Sequence, residues 1–105
     1  MTDKTGIELI WEERNRQIEA EGWTSEHDDK HRNEEIARAA MCYANPIPSE
    51  GFITAYWPWE REWYKPSKWN ESTLQPRKVD RVRELVKAGA LIAAEIDRLN
   101  RLKPL

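Results

Sequence analysis

The last third of the chain reads as one long helix whose middle is apolar on nearly every side, and few small folds can shelter such a helix. Over residues 76–102, Val79, Val82, Leu85, Val86, Gly89, Ile92, Ala93, Ile96 and Leu99 recur at helical spacing and mark one face. The centre, AGALIAA from Ala88 to Ala94, carries no polar side chain. Its surroundings must therefore be apolar all round. A chain of 105 residues holds one domain and one core. Two further helices and a connecting segment do not supply that cover, so the sequence predicts a homo-oligomer, a dimer or higher.

Two other helical patterns precede it. The spacing of Ile7, Ile10, Trp11 and Ile18 predicts a helix over 6–20, stopped by Gly22. Arg14 falls on the same face as these apolar residues, where a guanidinium must be paired or reach outward. A second helix is expected over 25–44, capped by Thr24 or Ser25. Acids Glu26, Asp28 and Asp29 stand in its first turns, where the helix dipole favours negative charge. Ile36, Ala39, Ala40 and Tyr43 form its apolar face, and Asn45-Pro46 ends it.

Residues 46–75 are of another kind. Pro46, Pro48, Gly51, Pro58 and Pro66 punctuate a stretch crowded with Phe52, Tyr56, Trp57, Trp59, Trp63, Tyr64 and Trp69. Long connections inside small domains are uncommon and often functional. This one is expected to form an aromatic flap across the helices, with one short helix near 59–63 begun by Pro58. The fold class expected is all-α: three main helices and a Pro/Trp-rich flap.

Composition narrows the function. A net charge of −2 leaves no basic footprint, which argues against a polymeric nucleic-acid partner. Cys42 stands alone and forms no internal disulfide framework, in keeping with a reducing compartment. No apolar run approaches the ~20 residues needed to span a bilayer, and no signal-peptide core is seen at the N-terminus. The expected location is the cytoplasm, with no membrane partner. Six Trp among 105 residues point instead to dense packing or to a binding surface.

Four clusters carry chemistry. On the first helix Glu13 and Gln17 are four apart and meet on one face, while Arg14 is either a buried structural cation or a fork for phosphate or carboxylate. His27, His31 and Glu35 stand one helical turn apart, close to Asp28 and Glu34. The set is either an acidic helix start or part of an oxygen-rich site suited to Mg²⁺. On the last helix Glu84 and Lys87 are three apart beside the apolar centre, either as an ordinary ion pair or as the matching acid and cation of such a site. Finally, Trp57-Pro58-Trp59 and Trp63-Tyr64-Lys65 set aromatic faces beside a cation, a pattern that fits a core lid or a surface that stacks bases.

The segments ERNRQIEAEGWTSEHDDKH, WPWEREWYKP and RELVKAGALIAAEIDRLNR cover most of the chain and resemble a group of short phage and prophage proteins. More distantly the chain resembles the MazG-like all-α nucleoside triphosphate pyrophosphohydrolases, which carry an EExxE motif on one helix and an ExxD motif on a later one. That resemblance implies a helical bundle completed by oligomerisation. It also implies Mg²⁺-dependent release of pyrophosphate from a nucleoside triphosphate. Glu34 and Glu35 match the first motif, but Arg38 stands where its third acid belongs. Glu84 matches the second, but Lys87 replaces the Asp. A cation inside a Mg²⁺ site competes with the metal for the same anion.

The combined expectation is a nucleotide-binding protein with a degenerate metal motif. Trp57, Trp59 and Trp63 contact or cover the base, Arg14, Arg38 and Lys87 meet phosphates, and Gln17, His31 and Lys65 complete the nucleotide contacts. Asp28, Glu34, Glu35 and Glu84 are the metal candidates, with Glu35 and Glu84 catalytic. Mg²⁺ is the cofactor if the protein turns its nucleotide over. The other outcome is sequestration of a nucleotide, such as a defence signal, without turnover. The rival reading is an interaction module whose Trp-rich segment docks on a host protein.

Overall fold

The computed structural model describes residues 4–65, 69–70, 75–76 and 78–102. Among these residues there are five α-helices, one 3-10 turn and one two-residue antiparallel pairing. The helices are α1 (Gly6–Glu19), α2 (Ser25–Asp29), α3 (Glu35–Ala44), α4 (Glu50–Tyr56) and α5 (Lys78–Arg101). Trp69–Asn70 (β1) pairs with Gln75–Pro76 (β2), Trp69 opposite Pro76. Residues 66–68 and 71–74 of the expected flap, Pro66 included, lie outside the described residues, as does Arg77 at the expected start of the last helix.

Local chemistry sets the helix ends. Thr5 begins α1 with a capping box: its hydroxyl accepts from the Glu8 amide at 3.2 Å, and its own amide donates to the Glu8 carboxylate at 3.2 Å. Gly22 adopts φ 73°, a left-handed value that glycine tolerates best. The turn brings the Trp23 amide back to the Gln17 carbonyl at 3.0 Å. Thr24 and Ser49 cap α2 and α4 through the His27 and Phe52 amides, at 3.4 and 3.0 Å. At the C-terminal end of α3, the Arg81 guanidinium donates to the Tyr43 and Ala44 carbonyls, where the helix dipole favours a cation.

The helix expected over 25–44 is two helices. Between α2 and α3 the chain turns, and Glu34 sits at φ 65°. The Glu35 carboxylate accepts the Asn33 amide at 2.5 Å, a donor that a continuous helix would have bonded internally, and its other oxygen meets His31 Nδ1 at 3.3 Å. The flap likewise holds a helix the spacing did not suggest, α4, while the turn expected near 59–63 is the 3-10 segment Arg61–Trp63.

α5 is the spine, packing on α3, α1 and α2. The core is Ile36, Ala39, Ala40, Cys42 and Tyr43 of α3, Ile53 of α4, Tyr64, and Ala88, Leu91 and Ala94 of α5. The face of α5 that the sequence marked as apolar points the other way. Val82, Leu85, Ile92, Ile96 and Leu99 are each 41% to 52% exposed, while Ala88, Leu91, Ala94, Glu95 and Arg98 turn inward. Glu95 and Arg98 are buried as a bidentate pair, 2.6 and 2.9 Å. On α1 the stripe is inverted too: Ile7 is 82% and Trp11 67% exposed, and the buried residues are Glu13 and Gln17. Ile10 of that stripe lies on α5, against Gly89. Periodicity locates a stripe, but the partner decides which way it faces.

Candidate functional site

The polar inner face of α1 begins the site. Glu13 and Gln17, one turn apart, are both buried. Arg16 grips the Glu13 carboxylate with two parallel bonds, Nε to Oε1 at 2.8 Å and Nη2 to Oε2 at 2.9 Å. Gln17 Nε2 donates to Oε2 at 3.3 Å. Burial alone would raise the Glu13 pKa, but Arg16 and then Gln17 outweigh it and hold the carboxyl below its ordinary value. The second arm of Arg16 is taken by Glu21 at 2.9 Å. With its amide nitrogen directed to Glu13, Gln17 is left with a carbonyl, Oε1, that is buried and has no hydrogen-bond partner among the described residues.

An aromatic wall faces this polar floor. The turn at Gly22 delivers Trp23, whose ring lies 6.3 Å from that of Trp59. Trp59 stands perpendicular to Trp57 at 5.5 Å, and Trp57 contacts Tyr64 at 4.9 Å and Tyr43 at 5.8 Å. Pro58 fixes φ between the two indoles, and Trp57 Nε1 anchors the bend by donating to the Glu60 carbonyl at 2.9 Å. The following strand of chain is tied to α3: the Lys65 amide donates to the Tyr43 hydroxyl at 3.1 Å, and the Tyr64 hydroxyl donates to the Cys42 carbonyl at 3.4 Å.

From α5, Lys87 reaches over the Tyr43 ring with Nζ 5.3 Å from its centre and donates to the Lys65 carbonyl at 3.5 Å. Burial, reinforced by the nearby Arg83, pulls its amine below the ordinary lysine value. An arriving anion would reverse that cost. Between floor, wall and lysines lies a cavity of about 410 Å³, within the size range of small-molecule sites. Glu13, Arg16, Gln17 and Glu21 line one side, Trp23, Tyr43, Trp57, Trp59 and Trp63 another, and Lys65, Lys87 and Leu91 close it.

Six of the residues expected to bind a nucleotide therefore meet in one place: Gln17, Trp57, Trp59, Trp63, Lys65 and Lys87. The others are engaged elsewhere. Arg14 donates to Asp28 at 2.6 Å and to the Trp23 carbonyl at 3.3 Å, so the anion it holds is the protein's own. Asp28 is buried between Arg14 and His27 Nδ1, the latter at 3.0 Å. His31 stands behind the wall with its ring edge on Trp59 at 5.4 Å and its Nδ1 on Glu35. Burial would raise Glu35, yet the Asn33 and Glu35 amides and His31 keep it low. Glu34 is exposed, Glu84 lies 3.5 Å from Arg81, and Arg38 carries a buried Nε without a partner among the described residues. Asp28, Glu34, Glu35 and Glu84 are not drawn together; among the described residues no three His, Cys, Asp or Glu side chains converge on a point that would hold a metal ion.

Several lining residues were not legible as site residues. The Glu13–Gln17 spacing marked a shared face, but nothing in it marked that face as buried. Trp23 and Tyr43 read as a helix boundary and a core position. Arg16 stands within the Glu13–Gln17 run with no role of its own marked in the sequence.

No family model, curated protein or solved structure matches this chain. The site's chemistry is therefore read from its geometry. It sets indole faces and two lysines around one volume. Among the described residues no helix is long and apolar enough to cross a membrane.

Proposed function

We propose that the cavity captures a nucleotide or nucleotide-derived small molecule, on a MazG-like helical fold that works in the cytoplasm. The observation that carries this reading is the joining of Trp57, Trp59 and Trp63 with Lys65 and Lys87 around one volume of about 410 Å³. Indole faces stack on bases, and an ammonium in a partly dry site attracts phosphate strongly. Lys87 occupies the position where the MazG-like pattern places a metal-ligating acid, and it faces the cavity. That supports sequestration over turnover, with phosphate charge met by the lysine. The phage-type sequence pattern is in keeping with a protein that withholds a nucleotide signal.

The test is thermal unfolding of the purified protein against nucleoside mono-, di- and triphosphates, with and without Mg²⁺. Ligand at a hundredfold excess over Kd stabilises the folded state by about 2.7 kcal/mol. A rise independent of Mg²⁺, without pyrophosphate release, supports capture. A Mg²⁺-dependent rise with pyrophosphate release would replace capture by hydrolysis. No rise with any nucleotide would leave protein docking through the Trp-rich segment as the better account.

The outward face of α5 supports self-association. Val82 and Leu85, then Ile92, Ile96 and Leu99, recur in steps of three and four, the spacing of a helix-pairing seam, and each of them is exposed. Ile92→Glu with Ile96→Glu is expected to give a monomer by analytical ultracentrifugation; an unchanged mass would refute the seam.

A further inference from the structure

We propose that Glu21 sets a charge limit on the cavity, which takes a nucleotide with a single phosphoryl group, monoester or cyclic diester, and discriminates against triphosphates. The inference rests on the nucleotide reading of the same cavity and adds the ligand class. Three cations and two acids line the volume: Arg16, Lys65 and Lys87 against Glu13 and Glu21. The cations are not equally open to a ligand. Arg16 donates from Nε and Nη2 to Glu13 at 2.8 and 2.9 Å, and from Nη1 to Glu21 at 2.9 Å. Each of its nitrogens therefore already meets a carboxylate. Lys65 and Lys87 make no ion pair among the described residues; the Lys87 amine rests on the Tyr43 ring and the Lys65 carbonyl.

Glu21 is the surplus charge. The bidentate Arg16–Glu13 pair is neutral by itself and already satisfies the buried Glu13 carboxylate. A second acid on the same guanidinium makes the trio net negative. Its side chain is 46% exposed, and a surface bridge of that kind adds little stability. Glu13 and Arg16 lie close enough to Lys87 to act on its charge, so a phosphoryl group on Lys87 enters the field of that trio. Arg83 acts on Lys87 as well, but it is exposed and does not line the volume. A phosphate monoester brings about 1.5 to 2 negative charges, which two lysines match. Each further phosphoryl group brings more charge and finds no further open cation in the lining, and like charges set together are disfavoured. Among the described residues no three carboxylate, histidine or cysteine side chains converge to hold a metal ion that would offset it.

The experiment is isothermal titration of the full chain at neutral pH and fixed salt, with EDTA present. The probes are the 5′-monophosphate, the 3′,5′-cyclic monophosphate and the 5′-triphosphate of adenosine, guanosine, cytidine and uridine. For each base that binds, the monoester or the cyclic diester is expected to bind about tenfold more tightly than the triphosphate. The tighter of those two identifies the ester. Glu21→Gln, an exposed change that leaves the core intact, should tighten the triphosphate and narrow the gap to about threefold or less. A triphosphate bound by the wild-type chain as tightly as the single-phosphate ligands, or more tightly, overturns the limit. A gap that Glu21→Gln leaves unchanged overturns the assignment to Glu21. Both of those outcomes leave the nucleotide reading standing. Absence of binding by every probe, with no thermal shift from any nucleotide, overturns both together.

Discussion

The two long sides of α5 are built from opposite chemistry. Against α3 it sets Ala88, Leu91 and Ala94 in one core with Ile36, Ala39, Ala40 and Cys42, a largely dry contact of small and aliphatic side chains with Glu95 at its edge. Against α1 it meets a helix whose buried residues are a glutamate and a glutamine, with Ile10 over Gly89 as the close apolar approach. The first contact gives the fold its stability through burial. The second leaves room between α1 and the aromatic wall, and its polar residues are held by ion pairs. A helix that presented its apolar stripe inward would have filled that volume. The inverted face of α1 is what allows a cavity in so small a domain.

Breaking each side separately sharpens the contrast. On the polar side, Asp28→Asn removes the carboxylate that holds Arg14, leaving a guanidinium whose side chain is only 12% exposed. Loss of one partner from a buried pair costs about 3–5 kcal/mol, so urea unfolding should show a large loss of stability. A change below about 1 kcal/mol would mean that the pair is as weak as a surface bridge. On the dry side, Ile36→Ala opens a cavity between α3 and α5, and about 2–5 kcal/mol is expected by the same measurement. Ligand affinity per folded molecule should be nearly unchanged in Ile36→Ala but reduced in Asp28→Asn, because Arg14 also holds the Trp23 carbonyl. Equal effects on binding would remove the distinction between the two sides.

The close approach of α1 to α5 has its own test. A Cβ on Gly89 would stand 2.6 Å from Cδ1 and 2.9 Å from Cγ1 of Ile10, so one of them must move. Alanine gains up to about 1 kcal/mol of helix propensity over glycine, while overpacking costs about 1–3 kcal/mol. Gly89→Ala is therefore expected to be neutral to destabilising by up to about 2 kcal/mol. Combined with Ile10→Ala, Gly89→Ala should instead stabilise relative to Ile10→Ala alone. If Gly89→Ala stabilises in both backgrounds, α1 does not sit tightly on α5.

How much of this was legible follows from what each signal encodes. The extents of α1 and α5 could be read closely, 6–20 and 76–102 against Gly6–Glu19 and Lys78–Arg101, because periodicity and end signals are local. The break after α2 was hidden because Glu35 reaches back to Asn33 and His31, a side-chain arrangement with no signature in spacing. α4 was hidden by the prolines around it, although Ser49 is an ordinary cap. In the site, Trp57, Trp59, Trp63, Lys65 and Lys87 could be found because stacking faces beside cations are visible as residue types. Tyr43, Trp23 and Arg16 could not, since their roles arise only once α3, the Gly22 turn and the flap meet. Acids that spacing grouped as one metal set are held apart by Arg14, His31 and Arg81, each of which takes one of them.

The smallest effect expected is in the acid limb of stability, and it isolates the floor of the cavity. Glu13 has a folded-state pKa below the ordinary 4.5. A carboxylate held low in the folded state binds fewer protons there than in the unfolded chain. Its contribution is therefore complete above the unfolded value and is lost as pH falls through the folded one. Unfolding free energy measured between pH 7 and 3 should decline below about pH 4.5 in the wild-type chain. Glu13→Gln should decline less steeply over the same window, whatever its stability at neutral pH. Glu35, also held low, contributes to both profiles alike and cancels in the difference. Parallel profiles would mean that Arg16 does not grip Glu13 in solution. The α1 side of α5 would then be polar without being organised.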